Sequence, residues 1–231
     1  MAIRAVNYPD YRVARERMVR EQVFGKGIVD RRVLKALLQV PRHLFLGHKA
    51  GPEAYTDHAL PIGFSQTMSQ PYMVAYLSEQ LALQGDEEVL EIGTGSGYQA
   101  AVLATLAKTV YTIERIPELA HRASSVFREL GLKHMFTKTA DGACGWPEMA
   151  PFDRILLTAA ASEVPQNLVI QLRDGGFLLG PVVRDDGGQE IVKLARRGES
   201  FTLERLKPCS FVPLVRLDRV PSSSDLNNAN I

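Results

Sequence analysis

The sequence predicts a doubly wound, mostly parallel α/β sheet with a helical extension before it and antiparallel strands after it. Three observations lead there. From residue 87 short apolar runs alternate with amphipathic stretches in a strand, helix, strand rhythm. Residues 10–85 instead carry helical periodicity and one irregular segment, and after residue 183 closely spaced turn signals separate two more strand-like runs. The 231 residues read as one domain: a helical preface with a long loop over 10–85, a sheet with its meander over 86–216, and a tail over 217–231. The tail is too polar to pack and is expected to be mobile.

A first helix is expected over 11–23, where Tyr11, Ala14, Met18, Val19 and Val23 recur at helical spacing among Arg and Glu. Asp30 is a good N-cap for a second, which presents Val33, Leu34, Leu37 and Leu38 on one face and stops before Pro41. Residues 41–69 show neither period and hold Gly47, Gly51, Pro52, Pro61 and Gly63, so they read as a long loop of the functional kind. Pro71 suits a helix first turn, with Met73, Leu77 and Leu81 four apart behind it. Strands are then expected over 88–92, 109–113, 136–139, 152–157 and 176–182. Helices fall between them over 98–107, 117–130 and 165–172, the last two closed by Gly131 and Gly175. Asp185-Asp186-Gly187-Gly188 and Arg197-Gly198 delimit an antiparallel meander with strands over 189–195 and 201–206.

Composition narrows the function. Lys and Arg number 27 against 26 Asp and Glu, a formal net charge of +1, and no basic block stands out, so a nucleic-acid partner is not expected. No apolar run approaches the roughly 18 residues of a membrane span, and the N-terminus is charged. Cys144 and Cys209 are far apart and in no paired motif. A cytoplasmic protein with no membrane, metal or disulfide is expected.

The most informative stretch is Val89-Leu90-Glu91-Ile92-Gly93-Thr94-Gly95-Ser96-Gly97, with three glycines at alternate positions between a strand and a helix. Lacking a Cβ, glycine lets the backbone turn sharply and approach a ligand closely. The spacing is not that of a dinucleotide fingerprint, whose third glycine counted from Gly93 would fall on Tyr98. Glu91, two positions before the first glycine, would repel a pyrophosphate and welcome an ammonium. Glu114 ends the next strand, where a carboxylate can accept from both ribose hydroxyls, and Asp141-Gly142 ends the third, placed for an adenine edge. Ammonium, ribose and adenine without phosphate describe S-adenosylmethionine.

Methyl transfer from a sulfonium is an in-line displacement whose main tasks are alignment and exclusion of water. A general base is needed only if the acceptor holds a proton. His43, His48, His58, His121 and His134 show no metal-type spacing, and only His58, beside Asp57, is a candidate base. After the fourth strand, Thr158-Ala159-Ala160-Ala161 stands where nitrogen methylation would use an Asn/Asp-Pro-Pro-aromatic clamp. An acceptor already anionic at neutral pH, such as a carboxylate, is therefore expected. Gln66-Thr67-Met68-Ser69-Gln70-Pro71 offers it hydroxyls and helix-entry amides, although Ser69 and Thr67 serve equally well as helix caps.

These residues resemble the protein-L-isoaspartate O-methyltransferase family in its bacterial or archaeal form. The matching stretches include Val40-Pro41-Arg42, Ala54-Tyr55, Leu60-Pro61-Ile62-Gly63, Gln66 to Pro71, Val89 to Ala104, Tyr111-Thr112-Ile113-Glu114-Arg115, Asp141-Gly142, Ala150-Pro151-Phe152-Asp153, Thr158 to Ala161, Val164-Pro165 and Phe211-Val212-Pro213-Leu214. They run in the family's order over about residues 15–216. Many methyltransferases share the glycine motif; the Gln-Thr-x-Ser-Gln-Pro and Thr-Ala-Ala-Ala segments are more specific.

The resemblance implies a Rossmann-like, S-adenosylmethionine-dependent protein carboxyl O-methyltransferase. Such an enzyme methylates the free α-carboxylate of L-isoaspartyl residues in damaged proteins and peptides and starts their repair through a succinimide. It implies Ser69 as the active-site serine and Gln66, Thr67 and Met68 in the loop closing over cofactor and substrate. Glu91, Gly93, Thr94, Gly95, Ser96, Gly97, Glu114, Arg115, Asp141 and Gly142 match the cofactor pocket. Thr67, Ser69, Val212 and Leu214 match the substrate side, with 211–214 as an edge for an extended peptide. Isoaspartyl proteins and peptides are the implied partners, met by a monomer. Two residues depart from the pattern: Ser65 replaces the glycine usual in bacterial relatives, and Val215 replaces a polar residue found in some. Another carboxylate or a small molecule as acceptor stays open, since only the 66–71 and 211–214 segments oppose it.

Overall fold

The computed structural model describes residues 10–47 and 51–216. The expected tail over 217–231 and His48 lie outside the described residues. The first helix is not uniform: α1 (Arg12–Arg17) runs into a π-helical turn over Met18–Val23 and a 3-10 turn over Phe24–Lys26. The wider π turn gathers Met18, Val19 and Val23 on one buried face. In α2 (Arg31–Gln39) the Asp30 carboxylate accepts from the N–H groups of Arg32 and Val33 at 2.7 and 3.3 Å, as an N-cap should. Its buried residues are Val33, Ala36 and Leu37, whereas Leu38, expected among them, is 38% exposed.

Residues 41–47 and 51–69 hold more regular structure than their sequence suggests. Two 3-10 turns, Arg42–Leu46 and Pro52–Tyr55, precede a hairpin of β1 (Leu60–Gly63) and β2 (Gln66–Met68). Strands of four and three residues are too short to show a period of two, which is why the sequence hid them. The connecting Phe64 and Ser65 both have positive φ, +56° and +55°, the geometry that matches strand twist in a two-residue hairpin. Ser65 thus adopts a conformation that glycine reaches with less strain. Helix α3 (Pro71–Gln80) follows, with Pro71 in its first turn as expected.

Beyond it lie β3 (Glu88–Ile92), α4 (Tyr98–Ala104), β4 (Thr109–Glu114), α5 (Pro117–Glu129) and β5 (Met135–Thr139). Then come β6 (Phe152–Leu157), α6 (Gln166–Val169), β7 (Leu172–Val183), β8 (Gln189–Arg197) and β9 (Ser200–Cys209). The sheet order is β5-β4-β3-β6-β7-β8-β9, parallel through β7 and antiparallel in the closing meander. Two helices fall short of expectation: α4 ends at Ala104, and α6 is a single turn. Gly175 closes no helix; it sits inside β7 at φ +78°, where the pairing with β6 slips register between Phe152 and Arg154.

Side chains of β3 alternate between two cores. Val89 joins the layer under α2, α3, α4 and α5, while Leu90 and Ile92 pack with Ile113, Ile155, Leu157 and Leu178 on the opposite face. Chain order reverses at β3, with β4 and β5 to one side and β6 onward to the other. Ligands of such sheets bind beyond the carboxyl ends of the strands at that reversal. The 211–214 stretch, expected to be an edge strand, is not part of the sheet. It makes one isolated parallel bridge, Pro213 to Ala160, in which Ala160 N–H donates to the Val212 carbonyl and Leu214 N–H to the Ala160 carbonyl, both at 2.8 Å. No described helix is long and apolar enough to cross a membrane.

Candidate active site

Loops leaving β3 and β6 meet at the reversal point. The Thr158 hydroxyl shares its proton between the carbonyls of Gly93, 2.6 Å away, and Ile92, 2.9 Å away, stitching the two strand ends together. A Cβ on Gly93 would stand 2.5 Å from that hydroxyl, so only glycine fits there at φ +98°. Thr94, Gly95 and Ser96 line a cleft together with Gln66, Thr67, Met68 and Ser69 and with Val212. An adjoining hollow shares Gln66, Gly93 and Glu114 with it and extends to Arg115, Gly142 and Leu214.

Ser69 does not cap α3. Gln70 occupies the N-cap position, with no side-chain cap, and the Ser69 hydroxyl, half-buried in the cleft wall, makes no hydrogen bond among the described residues. The capping alternative is thereby removed. The Glu114 carboxylate accepts from Gly95 N–H at 2.8 Å and from Ile116 N–H at 2.9 Å. Each oxygen keeps a further lone pair, which suits two ribose hydroxyls. Asp141 accepts from Ala143 N–H at 2.9 Å and caps the short turn that carries Gly142 into the wall.

Glu91 is where sequence and structure part. It sits on the Val89 face of β3, directly opposite Thr112 in the parallel register, and its side chain is fully buried rather than presented to the cleft. Thr112 donates to Glu91 at 2.5 Å, and Thr112 and Thr94 hydroxyls are 2.6 Å apart, so Glu91 reaches the cleft only through two hydroxyls. Its Oε1 has no hydrogen-bond partner among the described residues. Burial, with a smaller push from Glu114, raises its pKa from the ordinary 4.5 to about 8 against the opposing Thr112 bond. Between those values the folded chain holds a proton that the unfolded chain has lost, so this contribution to stability is full below 4.5 and disappears as pH rises through 8. Glu91→Gln should therefore melt progressively higher than the parent as pH rises from about 5 to 9. Thermal melts across that range check this; a constant difference would mean that Glu91 titrates normally.

Among the described residues, no histidine lines the cleft or the adjoining hollow. His58 is exposed, its Nε2 3.5 Å from the Thr56 hydroxyl, and His43 is buried with Nδ1 2.7 Å from the Tyr55 hydroxyl. A larger hollow on the far side of the glycine turn, against α5, shares only Gly95 and Ser96 with the cleft and contains neither Ser69 nor Glu114. The convergence of polar groups, not size, makes the cleft at the strand ends the candidate site. Sequence reasoning gave no role to Thr158, Gln99 or Arg42. Thr158 was findable as the residue directly after a strand flanking the reversal; Gln99, in α4, and Arg42 carried no such signal.

Comparison with known proteins identifies the family. A family model described as protein-L-isoaspartate(D-aspartate) O-methyltransferase matches residues 14–219. The protein-L-isoaspartate O-methyltransferase 1 of Syntrophobacter fumaroxidans is 50% identical over 206 residues, covering 89% of this chain and 96% of its own. A Geobacter metallireducens protein-L-isoaspartate O-methyltransferase is 49% identical over 207 residues, 89% of this chain and 95% of its own. Among solved structures, a protein-L-isoaspartate O-methyltransferase superposes with TM-score 0.79 at 27% identity, covering 86% of this chain and 65% of that one. A Plasmodium falciparum chain described as the same enzyme, in complex with S-adenosyl-L-homocysteine, has the same fold: TM-score 0.77, 24% identity, 87% of this chain and 98% of that one. With nearly the whole described length matched at this identity, the chain belongs to the protein-L-isoaspartate(D-aspartate) O-methyltransferase family.

Proposed function

We propose that this protein transfers a methyl group from S-adenosylmethionine to the free α-carboxylate of L-isoaspartyl residues in proteins and peptides, and that the cleft at β3 and β6 is where it does so. The observation that carries the reading is the meeting, in one cleft, of the glycine turn, the Gln66–Ser69 wall and Val212. The cofactor supplies a methyl carried on a sulfonium; a carboxylate oxygen forms the new bond to carbon as the carbon–sulfur bond breaks and its electrons stay on sulfur.

This chain's residues align the two reactants. The backbone of Gly93 to Ser96 and the spare lone pairs of Glu114 suit the adenosine end, with Arg115 and Gly142 in the adjoining hollow. Asp141 supports that end through its cap, and Gly97 does so as the residue that starts α4. The Ser69 hydroxyl, with Thr67 beside it, donates to the acceptor carboxylate; no base is required because the acceptor is already an anion. In the 211–215 stretch, groups of Val212 and Leu214 bond Ala160, so the Pro213 carbonyl and Val215 N–H alternate to the opposite side. They suit an extended peptide, to which the Val215 departure costs no backbone contact. A monomer in the cytoplasm, without nucleic acid, completes the reading, in keeping with a net charge of +1.

The test pairs two peptides. Radiolabelled methyl should pass from S-adenosylmethionine to an isoaspartyl peptide and not to its normal aspartyl twin, and calorimetry should detect S-adenosylhomocysteine but not NAD. Equal labelling of both peptides, or labelling of neither together with transfer to another carboxylic acid, would overturn the substrate assignment; NAD binding alone would overturn the cofactor.

A further inference from the structure

The least expected charge in the interior is Arg42. It is fully buried, at 0% exposure, and no carboxylate pairs with it among the described residues. Its Nε donates to the Ala54 carbonyl and its Nη2 to the Ser69 carbonyl, both at 2.7 Å. The guanidinium carbon lies 4.7 Å from the centre of the Tyr98 ring, and Tyr98 is the first residue of α4, directly after Gly97. One side chain therefore touches the end of the 3-10 turn at Ala54, the backbone of the cleft wall, and the exit of the glycine turn.

Ser69 needs such a support. It follows β2 and precedes α3, and belongs to neither, so no ladder and no helix fixes its peptide plane. The bond from Arg42 is the one hydrogen bond that the Ser69 carbonyl makes among the described residues. A fully buried guanidinium is a costly donor to two carbonyls, because desolvating its charge opposes what the two hydrogen bonds gain. That cost is visible in the guanidinium itself, whose pKa burial lowers to about 10, still charged at neutral pH, and in its Nη1, which has no hydrogen-bond partner among the described residues.

We propose that Arg42 is a positioning residue for methyl transfer: by holding the peptide plane after Ser69 against the start of α4, it aims the Ser69 hydroxyl at the acceptor. This rests on the role given to Ser69 above. Lysine at this position keeps the charge but has no planar fork to engage two carbonyls while stacking on a ring. Arg42→Lys should lower single-turnover methylation of an isoaspartyl peptide by about 30-fold or more while S-adenosylhomocysteine affinity stays within about threefold.

The decisive measurement is a double-mutant cycle with Ser69→Ala. If Arg42 acts through Ser69, Arg42→Lys costs less than about threefold further once the hydroxyl is gone. If its loss is undiminished in the Ser69→Ala background, or cofactor affinity falls in parallel with rate, Arg42 holds the fold and the inference is overturned. A Ser69→Ala protein of parental rate would overturn the Ser69 role, and with it this one, in a single-variant result separable from the cycle. Arg42→Gln, neutral but still a donor, replaces the lysine variant if that one does not fold; failure of both assigns Arg42 to structure and overturns the inference.

Discussion

Ser69→Ala is expected to slow methylation of an isoaspartyl peptide by about 30- to 1,000-fold, the rate equivalent of losing about 2–4 kcal/mol of transition-state stabilisation when one oriented donor is removed. Stability should move by no more than about 0.5 kcal/mol, because the hydroxyl caps no helix and bonds no described residue. Cofactor affinity should hold within a few-fold, since the groups suited to adenosine are at Glu114 and Gly142, on other strand ends. Single-turnover kinetics with parallel binding and denaturant measurements separate the three quantities. A folded variant that methylates within threefold of the parent would defeat the assignment. A variant with a large stability loss would restore a structural role that the geometry excludes.

Gly97→Val should do the opposite, unfolding the protein first and abolishing cofactor binding as a result. Gly97 has φ +90°, and a Cβ placed there would lie 2.7 Å from Phe127 and 2.9 Å from Ala123. Both neighbours are on α5 and buried, so neither can withdraw into solvent. The backbone penalty and the overpacking together come to about 2–5 kcal/mol. The sequence suggests that the new side chain would obstruct the ligand; the structure directs it at α5 instead, so binding is lost because the turn is displaced. Urea unfolding monitored by circular dichroism, followed by calorimetry with S-adenosylhomocysteine, checks both halves. Parental stability combined with lost binding would point back to direct obstruction.

How far the sequence carries can be judged from particular residues. Residues 88–92 and 152–157 are strands to the residue, because each is a short apolar run between polar turns. The glycine turn was legible as a ligand loop because its spacing and its place after a strand admit few readings. Glu91 misled because an acidic residue at a strand end announces a site but not a side; only its pairing opposite Thr112 shows that it faces the buried layer. The hairpin over residues 60–68 escaped because its strands are shorter than the period that would reveal them. Arg42 escaped for a different reason: in sequence a lone arginine after a proline reads as surface, and only burial against Tyr98 makes it singular.

The isolated bridge between Pro213 and Ala160 has a consequence for how this chain builds its cleft. Every strand of the sheet is complete by Cys209, yet Val212, which lines the cleft, comes after it. A polypeptide ending at Cys209 would keep every buried member of both hydrophobic cores, losing only the partly buried Phe211 and Leu214 packed against them, while the cleft lacked Val212. The sheet and the candidate cleft thus draw on different segments of the chain. The cleft is completed by a short non-sheet segment that bridges to a strand exit some fifty residues earlier in the chain.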